Sequence, residues 1–92
     1  MDRALIVVTG SVQGVGFRWY VLQAARALGL SGEVRNRTDG AVVIEVEGAR
    51  DALERLLETA REGPEMATVG QVHVSWSEGA AQFRDFRIGH TS

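Results

Sequence analysis

The segment ALIVVTGSVQGVGFRWYVLQAARALGL, residues 4–30, changes its hydrophobic period once. Ala4 to Val8 is continuously apolar and β-branched, too short for a helix, and reads as a central strand running out to Gly10. From Phe17 the period lengthens. Phe17, Val21, Ala24 and Leu28 recur at helical spacing, Gln23 and Arg26 fall off that stripe, and Gly29 supplies a stop, which predicts a helix over 17–28. Between the two lie Gly10, Gly14 and Gly16. From Gly10 to Tyr20 there is no acid and a single arginine, Arg18, at the helix entrance.

The rest of the chain completes the pattern. SGEVRNRTDGAVVIEVEG (31–48) reads as a hairpin turning at Thr38-Asp39-Gly40. Its outgoing strand alternates, with Val42, Ile44 and Val46 on a buried face and Val43, Glu45 and Glu47 on a mostly wet one. Leu53, Leu56, Leu57 and Ala60 form the apolar stripe of a second helix ended by Gly63-Pro64, with Asp51 and Arg55 spaced to pair on its solvent side. Val72, Val74 and Trp76 alternate with Gln71, His73 and Ser75 in a further strand, and QFRDFRI is a candidate closing strand. The order strand–helix–strand–strand–helix–strand is that of two split β-α-β units. It predicts a ferredoxin-like α+β sandwich with two helices on one face of an antiparallel four- to five-stranded sheet. The handedness of the crossovers puts the first strand and the strand ending at Gly48 in the middle. One domain over 1–92 is expected, without linker or repeat.

Composition narrows the function. The 92 residues carry a formal net charge of −2, against the basic balance of nucleic-acid binders. All 10 basic residues are arginine, so Schiff-base chemistry and the lysine-dependent phosphate loop of nucleotide hydrolases are excluded. Arginine in place of lysine fits either a thermophile or a GC-rich genome. No cysteine is present, which excludes disulfides, thiolate metal sites and cysteine nucleophiles, and fits a cytoplasmic setting. No apolar run approaches a membrane span, and the first residues lack the organisation of a signal peptide. His73 and His90 have no ligand-like partners at useful spacing. They read as solvated, as do Glu45/Glu47 and Glu54/Glu58/Glu62, so no metal site is expected. At least one of Trp19 and Tyr20 should belong to the core.

The glycine turn admits two accounts. In one, Gly10, Gly14 and Gly16 merely permit a tight passage from strand to helix, and Arg18 is solvated. In the other, glycines let consecutive N–H groups converge on an anion, the helix macrodipole adds positive potential, and the planar fork of Arg18 closes the ring. An arginine at a helix N-terminus opposes the dipole unless something negative sits between them. Val12-x5-Arg18 has the spacing of a cysteine-phosphatase loop with valine in the nucleophile's place, so such a cradle would lack a built-in nucleophile. QGVGFRWY loosely resembles an RNA-recognition motif, but its aromatics open a helix and the matching middle strand, AVVIEVE, carries none.

The stretch GSVQGVGFR also resembles the acylphosphatase signature G-x-V-Q-G-V-x-F-R at every fixed position. GEVRNRTDGAVVIEVEG, Gly32 to Gly48, resembles the second signature of that family, and the likeness spans essentially the whole chain. It implies that Arg18 binds phosphate and that Asn36, on residues alone a strand-end or turn residue, positions the attacking water. The backbone amides of Val12, Gln13, Gly14, Val15, Gly16 and Phe17 would form the cradle. The implied substrates are small acyl phosphates, with inorganic phosphate or sulfate as competing anions. The implied protein is a monomer needing no cofactor, metal, nucleic acid or membrane; a non-catalytic anion-binding module on the same fold is the alternative. The chain departs from the family pattern at Glu33, usually aromatic, at Gly16, where bulkier residues occur, and in the tail beyond Ile88.

Overall fold

A computed structural model describes all 92 residues. The chain runs β1 (Asp2–Ser11), α1 (Phe17–Ala27), β2 (Ser31–Asn36), β3 (Val42–Gly48), α2 (Arg50–Glu62), β4 (Thr68–Glu78) and β5 (Phe86–Ile88). The strands lie in the order β4-β1-β3-β2-β5, so β1 and β3 occupy the middle as the crossover argument requires. β1 pairs antiparallel with β3 and β4, and β2 antiparallel with β3. This is the ferredoxin-like arrangement, with one difference from an all-antiparallel sheet. The closing strand β5 joins the β2 edge in parallel, Gly32 opposite Phe86 and Val34 opposite Ile88, so the sheet is mixed.

One face of the sheet carries the core. Ala4, Ile6 and Val8 of β1, Val34 of β2 and Val42, Ile44 and Val46 of β3 point to it, one residue in two. They meet Phe17, Val21, Leu22 and Ala25 of α1 and Leu53, Leu56, Leu57 and Ala60 of α2. Ala24 and Leu28 sit at the margin of the α1 stripe. The helix ends as the glycine stop predicts, one residue early. Gly29 N–H donates to Arg26 O and Leu30 N–H to Ala25 O, a Schellman closure that tucks Leu30 into the core. Asp51 and Arg55 do not pair. Asp51 Oδ1 accepts from Ala52 N–H instead, and the ion pairs on α2 are Arg50–Glu54 and Glu58–Arg61. No helix is long and apolar enough to cross a membrane.

The opposite face is not uniformly wet, and here the expectation for β3 is corrected. Val43 and Glu47 are buried, Glu47 to 2% exposure. For Glu47 the cause is the connection from β4 to β5, which starts at one edge of the sheet and must reach the other. It crosses beneath β1, where Arg3 donates to Ala80 O; beneath β3, where Glu47 accepts from Gln82 and Phe83 N–H; and reaches β2, where Gly32 N–H donates to Asp85 O. The Glu47 carboxylate therefore staples a loop across the sheet. Its backbone donors meet the requirement that a buried charge be hydrogen-bonded. Glu33 ends up in an arginine network on the same face, near Arg35 and Arg87, which offsets its position directly across from Glu45.

Candidate active site

The turn after β1 is built from alternating backbone signs. Gly14 and Gly16 have φ of +75° and +79°, whereas no non-glycine residue of the chain has positive φ. Gln13(−)–Gly14(+) and Val15(−)–Gly16(+) are therefore two successive pairs of the kind that turn neighbouring N–H groups toward one point. Gly16 is the N-cap of α1 and provides no side chain to cap it. None of the backbone N–H groups from Val12 to Phe17 donates to another group of the chain. The loop is still well fixed from below, because Val12 and Phe17 are both buried in the core.

Arg18 follows in the first turn of α1, which contains no acid. Its guanidinium makes no hydrogen bond or ion pair within the chain, although the side chain is half-buried. Arg3, Arg35 and Arg37, also half-buried, all have partners. Trp19 is 58% exposed. Tyr20 is the member of that pair that joins the core, packing against Phe17 and donating its hydroxyl to Thr59 O at 3.2 Å. Burial, and secondarily the Glu62 carboxylate, push the Tyr20 phenol above its ordinary pKa, so it stays a donor.

Asn36 is the last residue of β2, two positions beyond the buried Val34 and so on the face that carries the helices. Its Oδ1 is buried without a hydrogen-bond partner, and its amide nitrogen makes no bond within the chain either. Its backbone, by contrast, is held from two sides. Asn36 pairs with Val42 of β3, and its carbonyl accepts from Ser92 N–H at 3.1 Å. The segment 89–92 continues the β5 pairing along β2: Gly89 N–H reaches Val34 O, and Thr38 N–H returns to Ser92 O. The turn beyond Asn36 is equally fixed. The Arg37 guanidinium grips the Asp39 carboxylate, and Asp39 Oδ1 accepts from Ala41 N–H. The Arg37 hydrogen bond in particular holds the Asp39 carboxyl below its usual pKa.

One contact is invisible to the sequence reading. The Gln13 side chain, expected only to lend its backbone amide, donates from Nε2 to Arg37 O at 2.7 Å and to Ala41 O at 2.9 Å. It ties the glycine loop to the turn that follows Asn36. The two candidate catalytic elements are thus brought to the same end of the sheet, the β1–α1 loop with Arg18 on one side and Asn36 on the other. A concavity of about 390 Å³ on the open face, walled by Arg3, Arg35 and Phe83, lies apart from the loop.

Fold and loop together define a ferredoxin-like α+β protein whose first strand-to-helix passage carries backbone N–H groups and a guanidinium with no partner in the chain. The sequence matches the acylphosphatase family over residues 4–88, and the chain belongs to that family. It is 51% identical over 81 residues to an acylphosphatase of Salinibacter ruber, covering 88% of this chain and 85% of that one. With an acylphosphatase of Pyrobaculum aerophilum the identity is 46% over 89 residues, covering 96% and 94%. Among solved structures, the acylphosphatase from Bacillus subtilis superposes with a TM-score of 0.93 at 37% identity, covering 97% of this chain and 99% of that one.

Proposed function

We propose that this protein hydrolyses acyl phosphates to a carboxylate and inorganic phosphate, with Arg18 and Asn36 as its catalytic residues. What carries the reading is the run of unpartnered N–H groups from Val12 to Phe17 that ends on Arg18. Donors left without partners at a helix start suit a phosphate dianion, each charge-assisted bond being worth ~1.5–3 kcal/mol. Phosphoryl transfer passes through a loose transition state in which charge spreads over the equatorial oxygens, so fixed amides and a guanidinium supply most of what is needed. The leaving group is a carboxylate whose conjugate acid has a pKa near ~4–5. It departs unprotonated, and no general acid is required.

The uncommitted amide of Asn36 aims a water in line with phosphorus. An asparagine does not accept the proton at neutral pH; the proton passes to the phosphate or to bulk solvent. The reading takes the protein as a single-domain cytoplasmic monomer needing neither metal nor cofactor, with inorganic phosphate and sulfate competing for the cradle.

The test is hydrolysis of benzoyl phosphate in the presence of a chelator. Arg18→Ala should weaken both rate and inhibition by phosphate, while Asn36→Ala should lower kcat about a hundredfold or more and leave phosphate inhibition nearly intact. The rate should show no imidazole titration between about pH 5 and 8, since the mechanism uses neither His73 nor His90. Parental turnover by both variants would sink the site assignment.

A further inference from the structure

In-line attack needs phosphorus and water at a fixed separation, and the fold does not set that separation directly. The cradle follows β1 and Asn36 ends β2, but β3 lies between those strands. Two strand spacings amount to roughly 10 Å, which must be bridged at the sheet's end, where the ladder has run out. Only one side chain makes that bridge. Gln13 leaves the cradle, and its Nε2 donates to Ala41 O, just ahead of β3, and to Arg37 O, one residue past Asn36. Both amide protons are then committed. Both acceptors are themselves fixed, since Arg37 O also accepts from Gly40 N–H and Ala41 O from Arg37 N–H. Ser92 braces the Asn36 strand from the outer side.

We infer that Gln13 is a positioning residue for hydrolysis, a strut that sets the distance between the phosphate cradle and the water-directing Asn36. Its side chain touches neither substrate nor water; it acts through the placement of Asn36 relative to the loop, while the backbone amide stays in the cradle. The inference rests on the hydrolytic reading above. Because the amides and Arg18 stay on their own side of the strut, its loss should misalign attack without emptying the cradle.

The experiment combines benzoyl phosphate turnover, inhibition by inorganic phosphate and a double-mutant cycle. Gln13→Met keeps length and removes both donors. It should lower kcat about 10- to 100-fold, as misplacement on the ångström scale does, with the phosphate inhibition constant changed less than about threefold. In the Asn36→Ala background the same substitution should cost less than about threefold, because the residue it works through is gone. Gln13→Asn, which retains a donor drawn back by one methylene, should give the same signature at smaller amplitude and serves if the methionine variant folds poorly. An unchanged kcat in Gln13→Met or Gln13→Asn, a parallel loss of phosphate inhibition, or full additivity with Asn36→Ala would each overturn the strut. Parental turnover by Asn36→Ala would overturn the strut too, whereas a parent chain that leaves benzoyl phosphate intact would sink the hydrolytic reading, so the two failures are told apart.

Discussion

The chain passes from a central strand into a helix twice, and the two passages differ. After β3 the route is short. Ala49 is the N-cap in an extended conformation, Asp51 lies in the first turn of α2, and its carboxylate accepts from Ala52 N–H. The positive end of that helix is answered by the chain's own acid. After β1 the route is longer and its cap is a glycine in the left-handed region. The first turn of α1 holds an arginine and no acid, and the N–H groups before it have no partner. Both helices lie on the same face of the same sheet, so topology does not distinguish them. On the proposed reading, the anion is held at the helix start whose electrostatics are left unfinished.

The largest effect should come from giving the first passage the character of the second. Arg18→Asp places a carboxylate in the first turn of α1. Turnover of benzoyl phosphate should fall at least about a thousandfold and phosphate inhibition should vanish. The melting temperature should nonetheless hold or rise by about 2–6 °C, because a favourable dipole interaction of about 0.3–1 kcal/mol replaces an unfavourable one. Activity within tenfold of the parent would break the contrast. A smaller effect is expected from Gly16→Ala. The added Cβ meets nothing within 4 Å, so the penalty is the left-handed backbone alone, about 1–2 kcal/mol. Thermal unfolding should report that loss, and phosphate inhibition should weaken as the cap relaxes. The smallest belongs to the second passage. Asp51→Ala should cost about 0.3–1 kcal/mol in denaturant unfolding and leave kcat unchanged, since nothing there faces a substrate. A change in kcat would show that the two helix starts are coupled.

Which features could be read from sequence follows from their range along the chain. The alternation of β4, the leucine stripe of α2 and the glycine turn are local patterns, and each element formed where its period placed it. Arg18 stood out because it opposes the helix dipole. Asn36 stood out only through family resemblance; its own neighbours say no more than strand end. Glu47 defeated the alternation rule because its partners lie 35 and 36 residues downstream, on a loop whose path across the sheet no local pattern encodes. The Gln13 strut spans 24 and 28 residues and is equally silent, although a long amide among glycines and valines was the one polar side chain in the loop with reach to spare. The parallel docking of β5 rests on three residues, too few for a period to declare a direction.

The central place of β1 has a consequence for how the protein is made. Its two neighbours in the sheet arrive late and at different times: Asp2 lies opposite Gly48 on one side and Glu78 on the other. At ribosomal speeds of about 5–20 residues per second, the second flank of β1 follows the first by about 2–6 s. Through that interval a ten-residue strand rich in valine and isoleucine offers an open hydrogen-bonding edge to any neighbouring nascent chain. Until β4 pairs with it, β1 is therefore an edge strand, open to pairing with another chain.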